Sequence, residues 1–253
     1  MLDETLDFLN QRKANDSKFS YEIIIVDDGS ADKTTKVALD YSKKYTSKYV
    51  RVLTLKRNRG KGQAIRLGVL CCRGNLILFA DADGASKFGD FEKLEDAIIP
   101  TLKEPTLICG SRAHMQQEVL VRRSFLRNIL MLGFQYSVSI IGGISGIKDT
   151  QCGFKLMNRT CAILLFSNLH IERWAFDVEL IYIAKRLKII IIEMPINWHE
   201  ISGSKIIPVF SWLQMGKDIL LIRLKYMLGI WNINPDYAKL IQNLQTLDTN
   251  KKI

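Results

Sequence analysis

Leu76-Ile77-Leu78-Phe79-Ala80 runs without a break into Asp81-Ala82-Asp83-Gly84, and this junction decides how the chain is read. Five apolar residues in a row suit a strand buried on both faces, as in a parallel sheet. The residues that follow are acidic and turn-forming. The same grammar recurs on either side. Ile23-Ile24-Ile25-Val26 leads into Asp27-Asp28-Gly29-Ser30, and Thr106-Leu107-Ile108-Cys109 into Gly110-Ser111-Arg112. Asp, Gly and Ser form ordinary turns, so one such cluster carries no message. Three at the same ends of three strands place carboxylates, glycines and an arginine on one rim, where open parallel sheets bind their ligands.

Between these strands the period changes to that of helices. Residues 2–13 carry Leu2, Leu6 and Leu9 on one face, and Val37, Ala38, Tyr41 and Tyr45 follow a helical spacing after Ser30. Val50 to Leu55 alternates as a strand, Gly60-Lys61-Gly62 opens a helix through Ala64, Ile65 and Gly68, and another helix spans about 90–103. Alternation of this kind predicts βαβ units and an α/β fold with a mainly parallel sheet. The expected division is one catalytic domain over 1–207, then amphipathic helices and a tail over 208–253. From Pro208 to Trp231 the chain is rich in Trp, Leu, Ile and Lys/Arg, a composition suited to core packing or to a membrane surface.

The 253 residues carry a formal net charge of +10, which favours anionic partners. The basic residues are scattered and no base-reading motif accompanies them, so phosphorylated substrates or an anionic leaflet are expected and nucleic acid is not. Five cysteines without a CxxC pair fit a reducing compartment. Asp3, Glu4 and Asp7 interrupt any signal-peptide run. Ile129 to Ile147 is uncharged over 19 residues but contains Gln135, serines and glycines, which suits a buried or interfacial segment better than a span.

Asp81 and Asp83, two apart on an extended segment, project to one side. Such a pair suits a hard, oxygen-preferring ion, Mg²⁺ or Mn²⁺, shared with substrate phosphates, and so a nucleoside diphosphate whose leaving charge the ion neutralises. His114, His170 and His199 are too scattered to form a metal cluster.

The ordered set Asp27–Ser30, Asn58-Arg59-Gly60-Lys61-Gly62, Asp81–Gly84, Gly110–Arg112, Asp149-Thr150-Gln151-Cys152-Gly153-Phe154-Lys155 and Arg173-Trp174-Ala175-Phe176-Asp177-Val178-Glu179 resembles the inverting GT-A glycosyltransferases that act on polyprenyl phosphates. Within them it is most similar to the dolichyl-phosphate β-glucosyltransferases, over residues 1 to about 231. The resemblance implies transfer of glucose from UDP-glucose to dolichyl phosphate at the cytosolic face of the endoplasmic reticulum, for protein N-glycosylation. It implies donor contacts by Asp27, Asp28, Gly29, Ser30, Lys61, Asp81, Ser204 and Lys205, metal binding by Asp83, and acceptor-phosphate binding by Arg112, Arg123 and Arg127. Asp149 and Asp177 join Asp81 and Asp83 as catalytic candidates, Asp149 as organiser and Asp177 as helper. Position 85, where related mannosyl enzymes often carry a further metal ligand, is Ala85. The family pattern also implies an anchor helix and a strand before residue 1, so the chain is expected to be an N-terminally truncated form, poorly soluble and weakly active alone. The rivals are a mannosyltransferase using GDP-mannose and a catalytically impaired remnant.

Overall fold

The computed structural model describes residues 1–115, 146–199, 201 and 208–237. Helix α1 (Leu2–Asn15) precedes β1 (Ile23–Asp27), α2 (Thr34–Tyr49), β2 (Val50–Thr54), α3 (Lys61–Leu70) and β3 (Leu76–Ala80). Then come a 3₁₀ turn (Phe88–Asp90), α4 (Phe91–Ile98), β4 (Thr106–Ser111), β5 (Phe154–Asn158), α5 (Arg159–Asn168), α6 (Phe176–Arg186), β6 (Ile190–Pro195) and α7 (Pro208–Met227).

The α/β expectation holds, with a mixed sheet. β1 and β2 pair in parallel, and a four-stranded sheet runs β3-β5-β4-β6. β4 and β6 are parallel, whereas β5 lies antiparallel between β3 and β4. That reversal matters for the site. It pairs Ala80 with Phe154, so the turn before β5 lands beside the carboxyl end of β3. Among the described residues β1 bonds only to β2, and β3 only to β5.

Strand parity sorts the side chains into two layers. Ile77, Phe79, Leu107, Cys109 and Met157 face α5 and α6, while Leu78, Ile108, Phe154 and Leu156 face Leu9 of α1 and Phe91, Leu94 and Ile98 of α4. Nine consecutive residues of α6, Phe176–Ala184, are buried, so this helix is enclosed on every side. Asn158 caps α5 by accepting a hydrogen bond from the Cys161 amide at 3.0 Å, a contribution of about 1 kcal/mol. α1 is fastened across the segment that follows Asp83. Glu4 accepts from the Phe88 amide (2.9 Å) and Arg12 pairs with Glu95 (2.6 Å).

All five thiols are free, and Cys109, Cys152 and Cys161 are buried while Cys71 is exposed. Burial, followed by the nearby Glu22 charge, pushes Cys72 up to about 11. Burial likewise lifts Cys152 to about 11 and Cys109 to about 12. These thiols are protonated and inert near neutral pH.

Candidate active site

The rim expected from three strand ends exists, and its parts are joined by hydrogen bonds. At the end of β1, Asp27 is buried and accepts from the Ser30 amide (3.0 Å) and the Thr35 hydroxyl, so it fixes the turn through Gly29 and Ser30. Burial pushes its carboxyl up, but these hydrogen bonds outweigh burial and hold it below the ordinary range. Asp28 reaches across to accept from the backbone amides of Arg59 (2.7 Å) and Gly60 (2.8 Å). It thereby sets the loop that opens α3.

Gly60 has φ +103°, and a β-carbon there would stand 2.7 Å from the Glu172 carbonyl. Only glycine meets both conditions. The next residue, Lys61, is thereby aimed at the end of β3, where its ammonium pairs with both oxygens of Asp81 at 2.8 and 2.9 Å. The Trp174 ring lies 5.7 Å from the same ammonium.

Asp81 donates its amide to the Gly153 carbonyl (2.9 Å), and its carboxylate lies directly over Gly153, so a side chain at 153 would overlap it. We expect Gly153→Ala to leave the thermal midpoint nearly unchanged while cutting kcat/KM roughly a hundredfold, the scale of losing one preorganised polar group. Unchanged transfer kinetics would show that the placement of Asp81 does not matter. Asp83 is exposed. One of its oxygens accepts from the Ala85 amide (2.9 Å), and among the described residues the other accepts no hydrogen bond.

Across β5, Arg112 makes two side-chain bonds to Asp149 at 2.7 and 2.9 Å, and its amide donates to the same carboxylate at 2.9 Å. The guanidinium also lies over the Trp198 ring, 5.3 Å from its centroid. Glu193 holds Asp149 in place by accepting from the amides of Lys148 and Asp149. Burial raises the Asp149 carboxyl, yet the Arg112 bonds and charge outweigh it and leave it below the usual range. Asp149 therefore stays ionised and fixes the orientation of Arg112.

Asp177 sits beneath the rim. It is buried and paired at 2.5 Å with Lys155, whose side chain is fully enclosed and also donates to the Cys152 carbonyl (2.7 Å). Burial pushes the Asp177 carboxyl up against the opposing pull of Lys155 and Lys61. Lys155 shares the β5 face of Met157, and its ammonium lies 5.3 Å from the centre of the Phe79 ring. Sequence reading gave Lys155 and Gly153 no role, although both stand in the Asp149–Lys155 motif. The signal available was a lysine set between apolar residues in a strand-length stretch. Arg123, Arg127, Ser204 and Lys205 lie outside the described residues, as does most of the 129–147 segment.

Among the described residues no three His, Cys, Asp or Glu side chains gather into a metal-binding group. The chain turns at Ala82 and Asp83 rather than running extended as expected, and Lys61 engages both Asp81 oxygens. The exposed Asp83 carboxylate is the better match to the chemistry of a Mg²⁺ or Mn²⁺ ion that keeps waters and substrate phosphates as its other ligands.

The strand ends thus bring a lysine–carboxylate pair and an exposed second carboxylate to the edge where α/β sheets bind their ligands. Residues 1–164 match the model of glycosyl transferase family 2, and the chain belongs to that family. It is 55% identical over 236 residues to the mouse protein named dolichyl-phosphate beta-glucosyltransferase, covering 92% of this chain and 72% of that one. The human protein of the same name is 54% identical with the same coverage, and the Saccharomyces cerevisiae one is 46% identical over 247 residues. Within glycosyl transferase family 2, the chain is thus a member of the dolichyl-phosphate β-glucosyltransferases. The fold is shared with glucosyl-3-phosphoglycerate synthase of Mycobacterium tuberculosis, solved with Mn²⁺, UDP and phosphoglyceric acid. The TM-score is 0.58 at 16% identity, over 88% of this chain and 72% of that one.

Proposed function

We propose that the chain transfers glucose from UDP-glucose to dolichyl phosphate with inversion, giving dolichyl β-D-glucosyl phosphate for N-glycosylation at the endoplasmic reticulum. The observation that carries this reading is the Lys61–Asp81 pair beside exposed Asp83, in a chain 55% identical to a protein of that name.

The acceptor needs no strong base. A phosphate monoester has a second pKa near ~6 and is ionised at neutral pH, so its oxygen attacks the anomeric carbon as the diphosphate leaves. The protein's task is to position the reactants and stabilise charge. Lys61 sets a cation at the β3 end for the donor phosphates, and Asp28 fixes the loop on which it stands. Arg112, whose Nε and Nη2 are held by Asp149, would offer its remaining N–H groups to the acceptor phosphate. Asp83 would hold Mg²⁺ or Mn²⁺, which supplies neutralisation of the departing diphosphate when bound.

The direct test is transfer of label to dolichyl phosphate, with UDP-glucose and GDP-mannose in competition. Glucose in the lipid product is expected. Preference for mannose, or no lipid-linked product, would overturn the reading.

The acceptor is a membrane lipid, and α7 offers a surface for the membrane although no helix among the described residues is long and apolar enough to cross one. Leu220, Leu224 and Met227 form one exposed stripe, continued by Leu228 and Ile230. Arg223 lies beside Lys185 and Arg186 in a cleft also lined by Tyr182 and Met227, and Lys217 is exposed. Lys225, by contrast, is placed 4.4 Å from the centre of the Trp231 ring. Each cation near an anionic surface is worth on the order of 1 kcal/mol. Flotation with vesicles containing phosphatidylserine should exceed flotation with neutral vesicles severalfold, and Arg223→Ala with Lys217→Ala should narrow the gap. Equal binding to both vesicle types would refute the electrostatic part.

A further inference from the structure

We propose that Glu179 is a positioning residue through which α7 sets the loop that carries Lys61. The inference rests on the reading of that loop as the donor side of the site. Glu179 is completely buried, yet it is surrounded by donors. It accepts from the amides of His170 (3.0 Å) and Ile171 (2.6 Å), faces His170 Nδ1 at 2.9 Å, and accepts from the Tyr226 hydroxyl of α7 at 2.8 Å. Burial and the Glu179 charge raise the Tyr226 phenol well above its ordinary range, so it remains a donor. One carboxylate thus ties α6, the 170–171 backbone and α7 together.

That backbone is the mould for the donor loop. A β-carbon at Gly62 would stand 2.6 Å from the Ile171 carbonyl, and one at Gly60 would stand 2.7 Å from that of Glu172. The Gln63 amide donates to the Glu172 carbonyl at 2.9 Å, and Arg59 forms an ion pair with the Glu172 side chain. Lys61 lies between these contacts. The path from the surface helix to Lys61 therefore runs through Tyr226, Glu179, the 170–172 backbone and the two glycines. α7 also carries the exposed apolar stripe, so whatever seats that stripe bears on the donor loop, with the Tyr226 phenol as the hydrogen-bonded link beside the packing of Ile219, Ile222 and Trp231.

Tyr226→Phe tests this, because it removes only the hydroxyl and keeps the ring against Tyr182 and Trp231. Amide hydrogen exchange without nucleotide should accelerate at Ile171 and Gln63 by about tenfold, the size of one lost hydrogen bond to a charged group. Exchange in α4 should not change. The KM for UDP-glucose should rise severalfold with kcat within about twofold, and Glu179→Gln should show the same pattern more strongly. Unchanged exchange at Gln63 would overturn the proposal, as would a rise shared by α4 with a lowered thermal midpoint. Local acceleration with no change in KM would keep the coupling and overturn the donor reading of the loop.

Discussion

Asp83→Ala should lower the transfer rate at saturating UDP-glucose and divalent metal by roughly a thousandfold or more, the scale of losing the charge stabilisation of a leaving diphosphate. The substitution is clean. Asp83 is exposed and, among the described residues, gives the fold one local bond, accepting from the Ala85 amide, so a stability loss of at most about 1 kcal/mol is expected. Asp83→Asn separates charge from shape, since an amide oxygen can still accept from Ala85 while ligating a hard ion poorly. Both variants should be inactive and folded. A wild-type rate in either one removes Asp83 from the metal assignment.

The second large effect is on stability. Lys155→Met should destabilise the chain by about 3–5 kcal/mol, because it leaves the Asp177 carboxylate buried without its counter-charge. Against a net stability of about 5–15 kcal/mol, this lowers the thermal midpoint by about 6–20 °C. The double variant Lys155→Met, Asp177→Leu should recover most of the loss, since an apolar pair of similar volume often replaces a buried ion pair without cost. The pH dependence has a definite sign. Burial raises the Asp177 carboxyl in the folded chain, and losing Lys155 removes an opposing pull. A folded value above the unfolded ~3.9 means that the folded state binds more protons, so stability falls as pH rises from about 4 toward the folded value. The penalty in Lys155→Met should therefore be smallest near pH 4. A drop of less than about 2 °C at pH 7 would show that Lys155 is not needed to neutralise Asp177.

The parts of the fold that sequence reveals are those in which one residue pattern carries one message. Leu76–Ala80 is apolar throughout and is a strand over those same residues, and Gly60-Lys61-Gly62 opens a helix where its glycines place it. β5 was not legible, because Lys155 interrupts its apolar run and reads as solvent-facing until Asp177, 22 residues away, neutralises it. α6 was opaque for a related reason. Buried on every side, it shows no polar face, and its two buried carboxylates, Asp177 and Glu179, look like surface residues. The strand-end clusters gave the rim, since each lies within a few residues of its strand. The pieces that aim the rim did not show, because they act across the chain: Arg59 meets Glu172 113 residues away, and Gly153 makes room for Asp81 only because β5 runs backwards. Spacing reports neighbours in sequence, and these are neighbours only in space.

The distribution of thiols makes the molecule ready for single-site chemistry. Cys71 ends α3 at the pole opposite Lys61, and it is the exposed one of five cysteines whose other members are buried or partly covered. A maleimide dye would attach there without any cysteine being removed first. Its emission would then follow the far end of the helix whose near end carries the donor lysine, and would register nucleotide arriving at the site as a change in colour or anisotropy from outside it.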